Sequence, residues 1–120
     1  QVGWFWENSG DHKLSDFWDM EILAKNNCQT HPVGEKQPNE LGICDLNGNV
    51  WEWCADHWHD NYVNAPTDGS AWITDGDSNM RLIRGGSWMN IDRLCRLPYR
   101  DRSYPGLRNN NTGFRVAQSL

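Results

Sequence analysis

The chain has no run of about 18 apolar residues, so no segment of it reads as a membrane-crossing helix. Its first residues, Gln1-Val2-Gly3-Trp4, lack the basic-then-apolar layout of a signal peptide. A start directly on an aromatic, strand-like run reads as a truncated one, which leaves export and localisation undetermined. Close cysteine pairs are missing too: Cys28, Cys44, Cys54 and Cys95 include no C-x-x-C, which argues against a zinc ribbon or a thioredoxin-like redox site. Their spacing suits either disulfides in an oxidising compartment or buried, reduced thiols, and it selects no pairing. Basic residues are scarce up to residue 80, with three Lys against fourteen Asp or Glu, a balance of −11. Acidic ones are scarce after it, where eight Arg face only Asp92 and Asp101, a balance of +6. The net −5 argues against a nucleic-acid partner, and the asymmetry predicts Arg forks of the tail pairing with carboxylates of the first segment.

What is present suits a single soluble domain of 120 residues, without internal repeats. Eight tryptophans, each burying a large ring while its indole N–H seeks a partner, fit a core with little regular secondary structure. Glycine, Asn and Asp supply the turn chemistry that a loop-rich fold needs. Residues 2–6 read as a short strand. Residues 15–25 read as a helix capped by Ser15, with Phe17, Trp18, Ile22 and Leu23 near helical spacing. Residues 31–42 are proline-punctuated loop, and Asp45-Leu46-Asn47-Gly48-Asn49 is a tight turn leading into a strand over 50–54. Residues 59–79 read mostly as loop, 81–84 as a strand entering Gly85-Gly86, and 113–117 as a final strand.

Several segments in this order resemble the formylglycine-generating-enzyme (sulfatase-modifying factor) family. They are His31-Pro32-Val33-Gly34, Pro38-Asn39-Glu40-Leu41-Gly42, Asn47-Gly48-Asn49-Val50-Trp51-Glu52-Trp53, Arg84-Gly85-Gly86-Ser87-Trp88, Cys95-Arg96 and Gly113-Phe114-Arg115-Val116. The resemblance runs nearly end to end and implies that residues 1–120 are the C-terminal half of one such domain. It implies a C-type-lectin-like α+β fold, rich in loops and short strands. Fold alone does not assign an activity.

The family's oxidases carry two cysteines shortly after the Gly-Gly-Ser motif, thiolates that suit Cu(I). Here Cys95 keeps the second position and Asn90 takes the first, and an amide supplies no thiolate. The resemblance therefore speaks against copper; an oxidase would depend on Cys95 with Cys54 or another residue. His57-x-His59 beside Cys54 suggests either a metal site or two solvated loop histidines. The resemblance also implies a calcium loop in which Asp45, the Gly48 and Val50 carbonyls and Glu52 donate oxygens, a donor set proper to a hard cation. The competing reading is an Asp-Asn-Gly turn with Glu52 paired to a tail Arg.

The tail resembles the variable region of retroelement-diversified proteins of the C-type-lectin fold, in which adenines of Asn codons are mutated. A miscellany made of Ile91, Leu94, Leu97, Pro98, Tyr99, Asp101, Ser103, Tyr104 and Leu107 sits between Arg93, Cys95, Arg96, Arg100, Arg102, Pro105 and Arg108. Such codons never become Lys, Glu, Gln or Trp, and none of these occurs between residues 89 and 117. Asn109-Asn110-Asn111 then reads as unmutated template. Met89, outside the reachable set, is constant under this reading and joins the same contact surface. The implied function is binding of a protein or cell-surface ligand through residues 89–111, with exposed Tyr99 and Tyr104 as amphipathic anchors. By analogy, a location on a cell or phage surface follows.

Overall fold

The computed structural model describes residues 2–15 and 17–118. Its elements are strand β1 (Gly3–Trp4), helix α1 (Met20–Lys25), strands β2 (Asn47–Gly48), β3 (Trp51–Trp58) and β4 (Asp77–Arg84), a 3-10 turn (Asp92–Cys95), and strands β5 (Arg100–Ser103) and β6 (Thr112–Gly113). This is the loop-rich α+β architecture expected. The main sheet has the order β5-β4-β3-β6, with β3–β4 and β4–β5 antiparallel and β3–β6 parallel. β1 and β2 form a separate parallel pair, Gly3 opposite Asn47.

Helix α1 is shorter than the apolar spacing predicted, and its N-cap is Asp19, not Ser15. The Asp19 carboxylate accepts the N–H groups of Glu21 and Ile22 and complements the positive end of the helix. Asp16 lies outside the described residues. Phe17, 92 % exposed, and Trp18 precede the helix and form no apolar face of it. Glu21 and Lys25 pair across one turn at 2.7 Å, and Leu23 alone is fully buried from this element.

Strand β1 is shorter than the aromatic run suggested because the Asn8 side chain accepts the Phe5 N–H at 2.8 Å and turns the chain. β3 runs four residues beyond its predicted end and β4 starts inside the segment read as loop, because each supplies the other's ladder, through an irregularity between Trp53 and His57. β5, with the strand-poor sequence Arg-Asp-Arg-Ser, had no local signal; its pairing with Arg81–Arg84 imposes the extended form. β6 stops at Gly113, since Arg115 turns back to Glu52.

Trp6, Leu23, Cys28 and Trp88 make one buried cluster, with Leu14, Met89 and Ile91 packed against it. Trp51, Leu82 and Ile83 are buried at the sheet. All four cysteines are unpaired. The two ends of the cluster bring the Gly85–Trp88 turn and the start of the tail together, and this frame positions the candidate sites.

Candidate ligand-binding surface and metal loop

Gly85 and Gly86 leave β4 with φ of +88° and +71°. A Cβ on Gly86 would lie 2.5 Å from Cys95 Sγ and 2.8 Å from Cys95 Cα, so glycine alone lets this turn lie on the 3-10 segment. Buried Ser87 donates its N–H at 3.0 Å and its hydroxyl at 2.6 Å to Asn90 Oδ1. The Asn90 amide thus closes the turn, and a sulfur at this position, a weak acceptor, would close it poorly. Cys95 is 2 % exposed, and burial pushes its thiol up to about 12. Half-buried Cys54 is also pushed up, first by burial and then by Asp56. Neither thiol is held as a thiolate at neutral pH by its surroundings.

The tail backbone is tied down at intervals. Arg84 Nη1 donates to the Leu97 and Tyr99 carbonyls at 2.9 and 3.2 Å, β5 is zipped to β4, and Trp88 Nε1 donates to the Asn110 carbonyl at 3.2 Å. Between these ties Leu97, Tyr104 and Leu107 are 57, 63 and 53 % exposed, and Pro98 is exposed too. Met89, Ile91, Leu94, Tyr99, Asp101 and Ser103 are half-buried. Met89 and Ile91 touch the core cluster, and the Tyr99 ring lies 6.0 Å from that of buried Trp51. Tyr99 is therefore not the freely exposed anchor expected; its position before β5 lays one edge against the sheet. Ile91 and Leu94 line, with Trp18 and Asn90, a cavity of about 310 Å³. Trp18, whose Nε1 donates to the Met89 carbonyl at 2.5 Å, had no assigned role in the sequence.

The predicted metal loop gathers as one cavity, lined among others by Asp45, Gly48, Val50, Glu52 and Arg115. Asp45 and Asn49 hold φ of +57° and +63°, and Gly48 +78°, so three left-handed residues fold the turn tightly. Asp45 Oδ2 accepts the Gly34 N–H at 2.7 Å, whereas its Oδ1 is buried with no partner. Arg115 donates to both Glu52 oxygens, by Nε at 3.0 and 3.1 Å and by Nη2 at 2.7 Å, and to the Cys44 and Asp45 carbonyls. The Glu52 hydrogen bonds, together with its charge, raise the Arg115 guanidinium above its usual range. The tail-Arg pairing foreseen for Glu52 is therefore present. A carboxylate bound by one Arg keeps further acceptor capacity. A buried carboxylate oxygen without a partner, in a cavity that Glu52 also lines, is a donor type that a hard cation such as calcium accepts.

The wider charge expectation needs correction. Among the described residues, Arg102 and Arg115 alone of the eight tail arginines approach a carboxylate, Arg102 reaching Asp60 only at 4.0 Å. Arg100 and Arg102 instead lie over Trp58, and Arg100 also over Tyr62. Among the described residues, His57 and His59 join no group of three His, Cys, Asp or Glu side chains able to hold a metal. His59 is buried and stacked on Trp72 at 3.5 Å, each ring nitrogen facing a backbone carbonyl, of His57 and of Thr74. This corrects the solvated-loop reading as well: the ring pins the long loop beside a cavity of about 580 Å³ lined by Trp58, Trp72, Asp60, Asp75 and Arg102.

Residues 1–120 match the sulfatase-modifying factor enzyme 1-like domain. The chain belongs to this family. It is 34 % identical over 124 residues to the chaperone protein LppX of Paenibacillus barcinonensis, covering 99 % of this chain and 38 % of that protein. It is 36 % identical over 105 residues to the formylglycine-generating enzyme of Streptomyces coelicolor, covering 84 % and 33 %. The solved structure of Treponema denticola variable protein 1 superposes with a TM-score of 0.64 at 30 % identity, over 94 % of this chain and 34 % of that one. The chain thus spans between 33 and 38 % of these relatives' lengths. Family membership and superposition together give the C-type-lectin-like fold of the formylglycine-generating enzymes. Among the described residues no helix is long and apolar enough to cross a membrane.

Proposed function

We propose that this chain is a ligand-binding module of the retroelement-diversified kind, presenting the side chains between Met89 and Leu107 to a protein or cell-surface ligand. The observation that carries the reading is a tail whose backbone is tied by Arg84 and Trp88 while Leu97, Tyr104 and Leu107 project into solvent. A fixed main chain with interchangeable apolar and aromatic side chains is what a variable contact surface requires, because exchanges there leave the scaffold intact. The likeness to a Treponema denticola variable protein supports it. Sequencing codons 89–111 and the neighbouring DNA in many isolates of one clonal population tests it. Variation confined to positions reachable from Asn codons, beside a near-identical Asn-rich template, is the expected result. An invariant tail without a template would return the weight to an enzyme or a plain interaction domain.

Calcium belongs to the same reading. Asp45 Oδ1, Glu52 and the Gly48 and Val50 carbonyls would hold the ion, which would neutralise the orphaned carboxylate and rivet the loop between β2 and β3.

The 36 % identity to a formylglycine-generating enzyme favours a second reading, an oxidase of protein cysteines acting through Cys95. Asn90 in the first copper position and the buried, protonated Cys95 weigh against it. Anaerobic Cu(I) titration separates the two: stoichiometric uptake, lost in Cys95→Ala, would support the oxidase.

A further inference from the structure

Arg84 and Arg100 face each other across the β4–β5 ladder, and Arg102 lies two residues on, on the same side of the edge strand. These three cations are not equivalent. Arg84 spends its donors on the Leu97 and Tyr99 carbonyls and on the Tyr62 hydroxyl. Arg102 lies over Trp58 and reaches Asp60, whose Oδ1 is already engaged by Trp58 Nε1 at 2.9 Å. Arg100, half-buried, lies 4.4 Å from the Tyr62 ring centroid and 4.8 Å from that of Trp58, and among the described residues its guanidinium has neither a hydrogen bond nor an ion pair.

A guanidinium held over two aromatic rings by cation–π attraction is restrained in position without spending its N–H donors, which form a planar fork. That fork matches two oxygens of one carboxylate. We propose that Arg100 is a pre-organised anchor for a carboxylate, supplied by an Asp or Glu side chain of a protein partner. That the partner is a protein rests on the reading of the tail as a contact surface; the anchor itself stands on the placement of Arg100 over Tyr62 and Trp58 with its donors unspent. Two features favour a single carboxylate over a polyanion. Only one of the three arginines is uncommitted, and Asp60, Asp75 and Asp77 line the adjoining cavity, where they repel extended negative charge. Exposed Leu97 and Tyr104 at the two ends of the strand favour a protein, which brings apolar groups to cover them.

The test is a titration of the whole chain, followed through the arginine side-chain Nε–H signals in ¹H–¹⁵N spectra. Probes are N-acetyl-L-glutamate, inorganic phosphate and D-glucuronate, against chloride at matched ionic strength. A saturable shift of the Arg100 signal with N-acetylglutamate, at least threefold tighter than with phosphate or glucuronate, is expected. Arg100→Lys, which keeps the charge and loses the fork, should weaken binding about tenfold, and Arg102→Lys less than threefold. A shift no larger than chloride's, tighter binding of phosphate or glucuronate, or undiminished binding by Arg100→Lys would each overturn the proposal. The wild-type titration stands even where a variant misfolds. Because it reads one subsite, its failure leaves the diversified tail to the sequencing experiment, and an invariant tail leaves the anchor to the titration.

Discussion

Asn90 accepts two hydrogen bonds from Ser87, and both would be lost on truncation inside a buried turn. Asn90→Ala should lower stability by about 1–3 kcal/mol, measured by urea unfolding, since the Ser87 donors would be left unpaired. Cys95 offers a pH test. Its thiol is pushed up to about 12 by burial, above the unfolded value near 8.5, so the folded state prefers the neutral form. The associated stability is fully present below about pH 8.5 and is lost as pH rises toward the folded value. The urea midpoint of the wild type should therefore fall between pH 7 and pH 10, and Cys95→Ala should fall less. An equal fall in both would show that Cys95 carries none of the effect.

At the scale of elements, the tail divides into side chains that also pack and side chains that only project. Tyr104 is 63 % exposed, so Tyr104→Ala should leave stability within about 0.5 kcal/mol while weakening partner binding. Tyr99 lies tilted over Trp51, and Tyr99→Ala should cost about 1–2 kcal/mol in addition. Comparing the two by thermal unfolding checks this split. The long loop between β3 and β4 depends on His59, stacked on Trp72 and bonded to the Thr74 carbonyl. His59→Ala should raise amide exchange over residues 60–76 while the β4–β5 ladder stays protected.

Besides its core, the molecule has ties between distant segments, such as Ser9 to the Trp88 carbonyl and Arg115 to Glu52. A cation bound beside Asp45 would tighten the same frame. Millimolar calcium should raise the melting temperature by a few degrees, by ligand linkage, and Asp45→Asn should abolish the increase. An identical midpoint with calcium and with chelator would remove the metal from the proposal.

Punctuation and chemistry along the chain determined the family, the fold class, the Gly85-Gly86 turn and the tight turn from Asp45 to Asn49, because glycine geometry and Asx turns are local properties. Strand lengths, the cap at Asp19, the existence of β5 and the half-burial of Tyr99 were decided only in the tertiary structure. An Arg-Asp-Arg-Ser segment becomes a strand only when β4 offers it a ladder. The fate of the arginines was decided there as well. Their number and sign were legible and suggested carboxylate partners, yet packing sent Arg84 to backbone carbonyls and Arg100 to aromatic rings, because a guanidinium takes whichever acceptors and π faces the fold brings within reach.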